Sequence, residues 1–382
     1  MTVGPSSTPR ATQGSRHIVL LGGGYAHLQV LAQLAAQPLA GTVVTLVTPY
    51  SHQLLDSMLP SFMLGRTAAA DFTIAVSPLV QRAGLRWVTH GATALDAAQR
   101  MLQLDDGSSL GFDWLSINTS PTQDRARVEQ AIPGAREHAL FVRPLEAFVA
   151  LWPRVTELGD SKALRVAVIG AGAGGVEIAF AVRQRLPQAA VTLVCVQGPA
   201  ATHCTPAVQH RVMALLKQRN ITVLQDRAVG IKSGFVQLGC GADLACDVPV
   251  LATGSLPPPW LMDSGLALDE HGFIAVDATQ RSTSHSQVFA AGDISSRRDL
   301  SPARCGARDD QAGPTLAHNL AAVVAGREPK AHQPSAHTLD LLACGTHYAI
   351  GSWGRYSFEG RWVSWLKERL DRQFVARYQA LK

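Results

Sequence analysis

Two glycine-rich turns limit what this chain can fold into more than any other feature of its sequence. "VIGAGAGGVE" (168–177) and, upstream, "VLLGGGYAHL" (19–28) each place such a turn between a short apolar run and a helical pattern. A strand, a tight glycine turn and a helix form the unit that holds the pyrophosphate of a dinucleotide at the helix N-terminus. The sequence therefore predicts an α/β fold with two Rossmann-like dinucleotide-binding domains, each a three-layer arrangement of sheet and helices.

The second turn has the complete G-x-G-x-x-G spacing, at Gly170, Gly172 and Gly175. In such a turn one glycine permits the tight bend, one lets the backbone approach the pyrophosphate, and one lets the helix pack closely on the strand. Gly174 lies within the same turn. A purely structural strand–helix turn is the alternative, but the strand before it and the helix after it favour a nucleotide site.

The first turn has the spacing only in part. Gly22, Gly23 and Gly24 are present, but His27 stands where the second turn has its packing glycine. The helix must therefore stand away from the strand, or the imidazole must point sideways into a gap. A histidine accommodated in the core is the favoured interpretation, and a catalytic histidine is the alternative.

The hydrophobic pattern around both turns predicts β-α-β crossovers. A hairpin is expected around Asp106, because Asp-Gly favours the tight turns that join antiparallel strands. "FDWLSIN" (112–118) is predicted as a further strand. The other strands are predicted at 17–21, 42–48, 165–169, 190–196 and 221–224, and the helices at 24–36, 144–158, 174–186, 206–219 and 314–325.

Composition supports a folded chain with a large core, since 47% of the 382 residues are hydrophobic and 16% are charged. Residues 1–16 lack periodicity and the apolar segment of a signal peptide, so a disordered tail is expected. The basic residues behind the net charge of +5 are scattered without a base-reading motif, which argues against nucleic acid.

The six cysteines form neither a disulfide framework nor a CxxC pair, so we expect reduced thiols, a cytoplasmic location and no metal site. The stretch 17–55 has no acidic side chain, lysine or arginine, yet glycines and glutamines interrupt it. A buried β-α-β unit gives the same hydropathy as a membrane span, and we expect the former.

A third motif, "STSHSQVFAAGD" (282–293), follows the two turns, and "VLATG" (250–254) precedes it. In this order the motifs resemble those of the pyridine nucleotide-disulfide oxidoreductase superfamily. The resemblance implies a FAD-binding domain into which an NAD(P)H-binding domain is inserted, plus a small C-terminal α/β piece. The implied boundaries are a tail at 1–16, FAD domain at 17–158 and 257–330, NAD(P)H domain at 159–256, and C-terminal domain at 331–382.

The resemblance also implies site residues. Glu177 is the candidate near the nicotinamide and flavin, although its carboxylate could simply complement the helix N-terminus. Thr48 stands where an acid usually binds the ribose, and "LVCVQ" (193–197) has no acid there either, so NADH and NADPH both stay open as co-substrates. The implied FAD-binding residues are Gly22, Gly23, Gly24, Thr48, Gly292 and Asp293, and the implied NAD(P)H-binding residues are Gly170, Gly172, Gly174, Gly175 and Gly254.

No cysteine occurs in residues 1–194, so the disulfide-dependent branches of the superfamily do not fit. The chain resembles type II NADH dehydrogenases and, through "DSMLPSFMLGR" (56–66) and its C-terminal segment, oxidoreductases associated with selenophosphate synthetase. The resemblance implies hydride transfer from nicotinamide to flavin and electron transfer to a quinone-like acceptor. A flavin module serving a partner in selenium or sulfur metabolism is the alternative. The polar segment 305–317 slightly favours a polar acceptor.

The last residues, 360–382, predict a basic amphipathic helix. Trp362, Leu366, Leu370, Phe374 and Tyr378 recur every fourth residue, and basic side chains outnumber acids. Such a helix suits an anionic membrane surface, which would place the protein peripherally at the inner face of a membrane. The alternative is packing against its own FAD domain or against a second subunit in a homodimer.

Overall fold

The structure is a computed structural model. It describes residues 15–119, 123–196, 198–202, 204–254, 256–297, 299, 311–335 and 338–380. Residues 1–14 of the predicted tail and residues 305–310 of the polar segment lie outside the described residues. Arg16, predicted as the last residue of the tail, instead begins the first strand.

The first sheet is parallel, with five strands in the order β19-β9-β1-β2-β5. Its register places Arg16 opposite Thr42 and Leu21 opposite Val47. The edge strand β19 comes from the far end of the chain, so the domain is built from two separate segments. The strands are β1 (Arg16–Leu21), β2 (Thr42–Val47), β5 (Arg86–Val88), β9 (Trp114–Ile117) and β19 (Val288–Ala290).

Two helices cover one face of this sheet. α1 (Tyr25–Ala36) makes the crossover from β1 to β2, and α9 (Ala312–Val324) packs against α1. The two helices approach closely at Gly313, where a Cβ would lie 2.5 Å from the Cβ of Gln29. A glycine is therefore required at this crossing.

The second sheet is also parallel and five-stranded, in the order β10-β17-β11-β12-β13. Its first strand lies at Leu140–Phe141, so the chain enters this sheet ahead of the boundary predicted at 159. The strands are β10 (Leu140–Phe141), β11 (Arg165–Ile169), β12 (Ala190–Cys195), β13 (Ile221–Gln225) and β17 (Val248–Leu251), and the helices of this region are α6 (Leu145–Ser161), α7 (Ala173–Arg185) and α8 (Pro206–Gln218).

Smaller antiparallel elements extend both domains. The predicted hairpin around Asp106 is confirmed as part of a three-stranded sheet. The strands are β3 (His52–Leu54), β4 (Thr73–Ala75), β6 (Ala92–Asp96), β7 (Met101–Leu104), β8 (Ser109–Gly111), β14 (Ala228–Lys232), β15 (Phe235–Leu238), β16 (Asp243–Ala245), β18 (Ile274–Ala275) and β20 (Ser295–Ser296), and the short helices are α2 (Leu59–Met63), α3 (Ser77–Arg82), α4 (Arg125–Ala131) and α5 (Ala135–His138).

The C-terminal unit is a three-stranded antiparallel sheet followed by a long helix: β21 (Leu339–Ala343), β22 (Ala349–Trp353), β23 (Tyr356–Gly360) and α10 (Arg361–Gln379). Its helix packs on the first domain, where Phe374 meets Tyr25 edge-to-face at 5.5 Å. Its sheet packs on the second domain, where Arg211 of α8 pairs with Glu359 at 2.5 Å. The unit therefore joins both dinucleotide-type domains.

The predicted apolar face of α10 is wrong in part. Phe374 and Tyr378 are buried as expected, but Trp362 is 56% exposed. The face against the protein instead contains Val363, Ser364, Lys367, Asp371, Phe374, Val375 and Tyr378. Apolar residues occupy more than one stripe of this helix, and packing selected a stripe that includes two charged groups.

The remaining predicted helices and strands are confirmed, and most of their ends lie within one or two residues of the predicted positions. Among the described residues, no helix is both long and apolar enough to cross a bilayer.

Candidate active site

Two adjoining cavities contain most of the predicted site residues. The first-loop cavity, of about 390 Å³, is lined by Gly22, Gly23, Gly24 and Thr48, with Trp260 also in its wall. The junction cavity, of about 270 Å³, lies where the two domains and the C-terminal unit meet, between Gly24, Gly292 and Asp293 on one side and Gly174 and Glu177 on the other. Six residues line both cavities: Gly24, Gln53, Asp56, Thr119, Arg143 and Leu145.

Gly170, Gly172, Gly175 and Gly254 line neither cavity. Gly170 has a φ of +111°, and a Cβ on Gly175 would overlap the carbonyl of Gly170. These two glycines therefore shape the turn itself. By contrast, a Cβ on Gly172, Gly174 or Gly254 would meet nothing within 4 Å, which leaves the N-terminal side of α7 open to a ligand.

His27 is fully buried between α1 and the first sheet. Its Nδ1 lies 2.6 Å from the Gly22 carbonyl oxygen and its Nε2 lies 2.8 Å from Ser116 Oγ. Because a carbonyl only accepts, Nδ1 carries the proton and Nε2 accepts from the hydroxyl. Burial lowers the pKa of His27 to about 4, so the ring is neutral. His27 is thus a core histidine. It stands at the position where a third glycine would let helix and strand pack more closely, and its side chain hydrogen-bonds to the turn instead.

Asn118, at the end of β9, joins the first turn to the third motif. Its Oδ1 accepts from the His27 backbone N–H at 3.0 Å, and its Nδ2 donates to the Ala291 carbonyl at 2.7 Å. Its own carbonyl accepts from Gly24 N–H at 3.1 Å. Sequence reasoning missed this residue, although the polar "NTS" directly after an apolar strand was a usable signal.

Thr119 lines both cavities, and its buried Oγ1 has no hydrogen-bond partner among the described residues. A buried hydroxyl without a partner is costly, so this position suits a polar ligand atom. On the same wall the Thr48 hydroxyl accepts a long bond of 3.4 Å from Tyr50 N–H. The first-loop cavity therefore combines glycine backbone, two hydroxyls and an open volume, which fit a dinucleotide.

Glu177 lies on α7 at the edge of the junction cavity. Its Oε1 accepts a 2.7 Å hydrogen bond from the backbone N–H of Ala343 in β21. Burial raises the pKa of Glu177 to about 7, while the nearby Lys367 ammonium and the Ala343 bond act in the opposite direction. The carboxyl group can therefore hold or release a proton close to neutral pH.

Three polar side chains mark the boundary between the two cavities. Asp56 pairs with Arg143, and the backbone N–H of Asp56 donates to Tyr25 OH at 3.0 Å. The Asp56 carboxylate raises the pKa of Arg143, and burial raises that of Tyr25, so Arg143 stays charged and Tyr25 stays neutral. The ion pair of Asp56 and Arg143 therefore holds a guanidinium at the boundary between the cavities, and the two charges cancel.

Lys367 of α10 also lines the junction cavity, a position that no pattern in the sequence indicates. Its Nζ donates to the Ser57 carbonyl and, at 3.1 Å, to Asp371 Oδ2. The predicted apolar face of α10 did not include Lys367, because the way the helix packs decides which of its side chains face the cavity.

The cysteines depart in one respect from the expectation of reduced thiols. Cys195, Cys240, Cys246 and Cys344 are free, whereas Cys204 is disulfide-bonded. Within the described residues, one group of metal-ligating type occurs, made of His90, Asp105 and Asp106. It is largely exposed, and His90 pairs with Asp105 at 2.7 Å, so its side chains satisfy one another.

Comparison with known proteins finds that residues 16–322 match the family model described as "Pyridine nucleotide-disulphide oxidoreductase". "Alternative NAD(P)H-ubiquinone oxidoreductase C1" of Arabidopsis thaliana is 22% identical over 324 residues, which are 74% of this chain and 62% of the plant protein. "Demethylphylloquinone reductase NdbB" of Synechocystis is 23% identical over 359 residues, which are 89% and 87% of the two chains.

Among solved structures, NDH2 of Plasmodium falciparum in complex with NADH superimposes with a TM-score of 0.75. The match covers 95% of this chain and 97% of that one at 13% identity. This likeness supports the observed fold, with its two parallel five-stranded sheets.

Proposed function

The chain belongs to the pyridine nucleotide-disulphide oxidoreductase family, and on that premise we propose that it is a FAD-dependent NAD(P)H dehydrogenase that reduces a quinone-like acceptor. Members of the family typically bind FAD and use NAD(P)H. The balanced reaction is NAD(P)H + H⁺ + acceptor → NAD(P)⁺ + reduced acceptor with two added hydrogens. The observation that carries the proposal is the junction cavity, which brings Asp293 and the first turn next to Gly174 and Glu177 of the second.

The first-loop cavity is the proposed FAD site. Gly22, Gly23 and Gly24 would face the pyrophosphate, and Thr48 would face the ribose. Asp293 and Gly292 would hold the part of the cofactor that reaches into the junction cavity. FAD bound here would take a hydride from the nicotinamide and pass its electrons to the acceptor.

The proposed NAD(P)H site is the N-terminal end of α7. Gly170 and Gly175 fix the turn, and Gly172, Gly174 and Gly254 leave space for the phosphates and the backbone of the ligand. The free N–H groups and the dipole at the start of α7 favour an anion there. A nicotinamide held by this turn would extend toward Glu177 at the wall of the junction cavity.

A quinone-like acceptor agrees with the relatives, two of which are named as ubiquinone and demethylphylloquinone reductases. It also agrees with the apolar part of the junction cavity, made of Leu55, Leu59, Pro60, Val142, Leu145, Ile178 and Leu341. A flat ring would pack against these side chains, while Glu177 could supply a proton to a reduced oxygen. Such an acceptor site would be incomplete without the C-terminal unit.

We further propose that the protein binds a membrane surface through exposed aromatic residues of the C-terminal unit. Trp353, Tyr356, Trp362 and Trp365, which we call the aromatic patch, are each more than half exposed. Trp362 stacks on Phe358 at 5.1 Å, and two rings of the patch carry a cation, with Arg369 over Trp365 at 5.4 Å and Arg355 over Tyr356 at 5.2 Å. Aromatic rings with arginines suit the interface of an anionic bilayer, from which a quinone is drawn.

The experiment is anaerobic stopped-flow absorbance of the purified protein at about 450 nm, where oxidised flavin absorbs. NADH and NADPH are added separately, and a short-chain quinone is then mixed in. Fast bleaching and fast recovery with quinone are expected. Bleaching without recovery would contradict the quinone and favour a different acceptor, while a tightly bound flavin that neither nucleotide bleaches rapidly would favour the module that serves a partner.

A further inference from the structure

The C-terminal helix buries an ion pair at the wall of the junction cavity. Lys367 and Asp371 are 6% and 3% exposed, and Lys367 Nζ lies 3.1 Å from Asp371 Oδ2. Removing two charges from water is costly, and a well-packed apolar pair often gives equal or greater stability. The position of this pair next to a cavity therefore needs an explanation other than stability.

The hydrogen bonds around Lys367 leave one donor unused. Of its three N–H groups, one bonds to the Ser57 carbonyl and one to Asp371. The third has no partner among the residues that the structure describes, and Lys367 lines the junction cavity. An ammonium fixed in this way presents a charged donor to whatever occupies the cavity.

Asp371 is itself held in place. Its Oδ1 accepts from Ser57 Oγ at 2.8 Å, while its Oδ2 accepts from Lys367. Ser57 thus contacts both members of the pair, through its carbonyl and its hydroxyl. The three residues form a closed set of bonds, which restricts the Lys367 side chain far more than a single contact would.

We propose that Asp371 is a positioning residue: with Ser57 it holds the Lys367 ammonium at the cavity wall, so that its free N–H meets a carbonyl oxygen of the electron acceptor. The inference rests on the proposed function, because it names how that acceptor is recognised. It assigns part of the site to α10, which lies beyond the residues that match the family model.

The pKa of Glu177 depends on the position of the Lys367 ammonium. The charged groups that act on it are Lys367, Asp371 and Asp56, and the neutral Ala343 N–H and the buried Cys344 thiol also lie close. Glu368, the next residue along α10, pairs with Arg66 at 2.8 Å and with Arg372 at 3.1 Å, and none of these three lines the cavity.

Two roles of Asp371 give opposite shifts. If Asp371 acted on Glu177 only through its own negative charge, Asp371→Asn would lower the pKa of Glu177. If it positions Lys367, the variant lets the ammonium move away, and the pKa rises as it does in Lys367→Met, because Lys367 has the larger effect of the two. The sign of the shift therefore separates positioning from a simple charge effect.

The experiment titrates the Glu177 carboxyl by ¹³C NMR in the FAD-loaded protein, with the signal assigned by its loss in Glu177→Gln. We expect an upward shift of about one unit in Lys367→Met and a shift of the same sign in Asp371→Asn. The double variant should show no upward shift beyond that of Lys367→Met alone, since without Lys367 only the direct charge of Asp371 remains, and its loss lowers the pKa of Glu177. Glu368→Gln, the same change in charge on the same helix, should leave the titration in place.

The second readout is the rate of flavin reoxidation by a short-chain quinone, which should fall about tenfold in Asp371→Asn while reduction by NAD(P)H stays within about twofold. A downward or absent shift in the titration, or equal loss in both half-reactions, would overturn the inference. The NMR result requires no acceptor, so a wild-type protein that fails to reduce quinone would remove the proposed function and still leave the positioning role measured.

Discussion

The Glu177 carboxylate on α7 accepts a 2.7 Å hydrogen bond from the backbone N–H of Ala343, which is 166 residues further along the chain. This bond ties the second glycine turn to the C-terminal sheet, outside the residues 16–322 that match the family model. The candidate site is therefore completed by a unit that lies beyond the residues matched by the family model. Each of the following expectations can be checked on the purified protein.

Glu177→Gln should remove a pH dependence. The wild-type rate of flavin turnover is expected to change around pH 7, the pKa to which burial raises this carboxyl, and the variant profile should be flat there. Steady-state rates with NAD(P)H and quinone from about pH 5 to 9 give the test. Glu157→Gln, at an exposed position of α6, is the control. An unchanged inflection in Glu177→Gln would assign the titration to another group.

The same carboxyl affects stability with a defined sign. Its pKa is about 7 in the folded chain and about 4.5 when unfolded, so the folded state binds more protons between these values. The contribution of Glu177 to the free energy of unfolding therefore falls as pH rises from about 4.5 to 7. Urea unfolding of Glu177→Gln against wild type should show the variant gaining relative stability over this range. A constant difference would contradict the raised pKa.

Gly172→Val should prevent NAD(P)H binding without disturbing the fold. A Cβ at this position meets no atom within 4 Å, and its φ of −65° suits any residue, so the free energy of unfolding should fall only by the cost of a poorer N-cap of α7, about 1 kcal/mol. The flavin should remain bound, and bleaching by NADH or NADPH should be lost. Gly175→Ala is the contrast, since its Cβ would overlap the Gly170 carbonyl and destabilise the turn itself. Normal bleaching in Gly172→Val would exclude this turn as the nucleotide site.

Asp293→Ala should lose flavin. The side chain faces the junction cavity, and removing a bond from a carboxylate to a ligand costs about 1.5–3 kcal/mol of affinity. The ratio of flavin absorbance to protein absorbance should fall after gel filtration, while circular dichroism stays unchanged. Asp299→Ala, an exposed acid paired with Arg297, serves as the control. Full FAD content in Asp293→Ala would contradict the assignment of this motif.

His27→Ala should destabilise the first domain by about 2–4 kcal/mol, because it leaves a cavity and two unpaired partners, Gly22 and Ser116. The wild-type histidine has a pKa of about 4 when folded, below its ordinary 6.5, so its contribution to stability is present above pH 6.5 and is lost as pH falls toward 4. Urea unfolding at pH 7 and pH 5 measures both effects. His271→Ala, at a largely exposed position, should behave as wild type. A loss below about 0.5 kcal/mol in His27→Ala would show that the ring does not support the turn.

The double substitution Trp362→Ala with Trp365→Ala should weaken binding to anionic vesicles about tenfold, with turnover of a soluble short-chain quinone unaffected. Co-sedimentation with vesicles containing phosphatidylglycerol gives the measurement, and vesicles of phosphatidylcholine alone report the contribution of charge. Met262→Ser is the control, since it changes a still more exposed apolar residue outside the aromatic patch, 72% against 56% and 59% for the two tryptophans. Equal sedimentation of the double variant and wild type would exclude this patch as the membrane contact.

Much of the fold could be predicted because its signals are local. The alternation of apolar runs and glycine turns placed β1, α1 and β2 within about one residue of their observed bounds, and likewise β11, α7 and β12. The turn at Asp106 followed from Asp-Gly alone. Strands buried on both faces of a parallel sheet are marked by continuous hydrophobic runs, which can be identified directly in the sequence.

The parts of the site that sequence reasoning missed depend on contacts between distant segments of the chain. Asn118 acts through bonds to His27 and Ala291, the latter 173 residues away. Lys367 lies in a helix whose repeating aromatic residues indicated a different buried face, since Trp362 is exposed and Val363 is fully buried. A helical pattern gives the spacing of side chains, whereas the neighbours of the helix decide which stripe is covered.

The sequence by itself determined two glycine turns, the strands and helices that flank them, and the split order of motifs along the chain, because each depends on backbone freedom and hydrophobic spacing within about thirty residues. Only the tertiary structure decided that Glu177 is bonded to Ala343 and faces Lys367, and that His27 is a neutral core residue. The physical reason is that burial and long-range contacts set these pKa values and bonds, and such contacts form only when distant segments pack together.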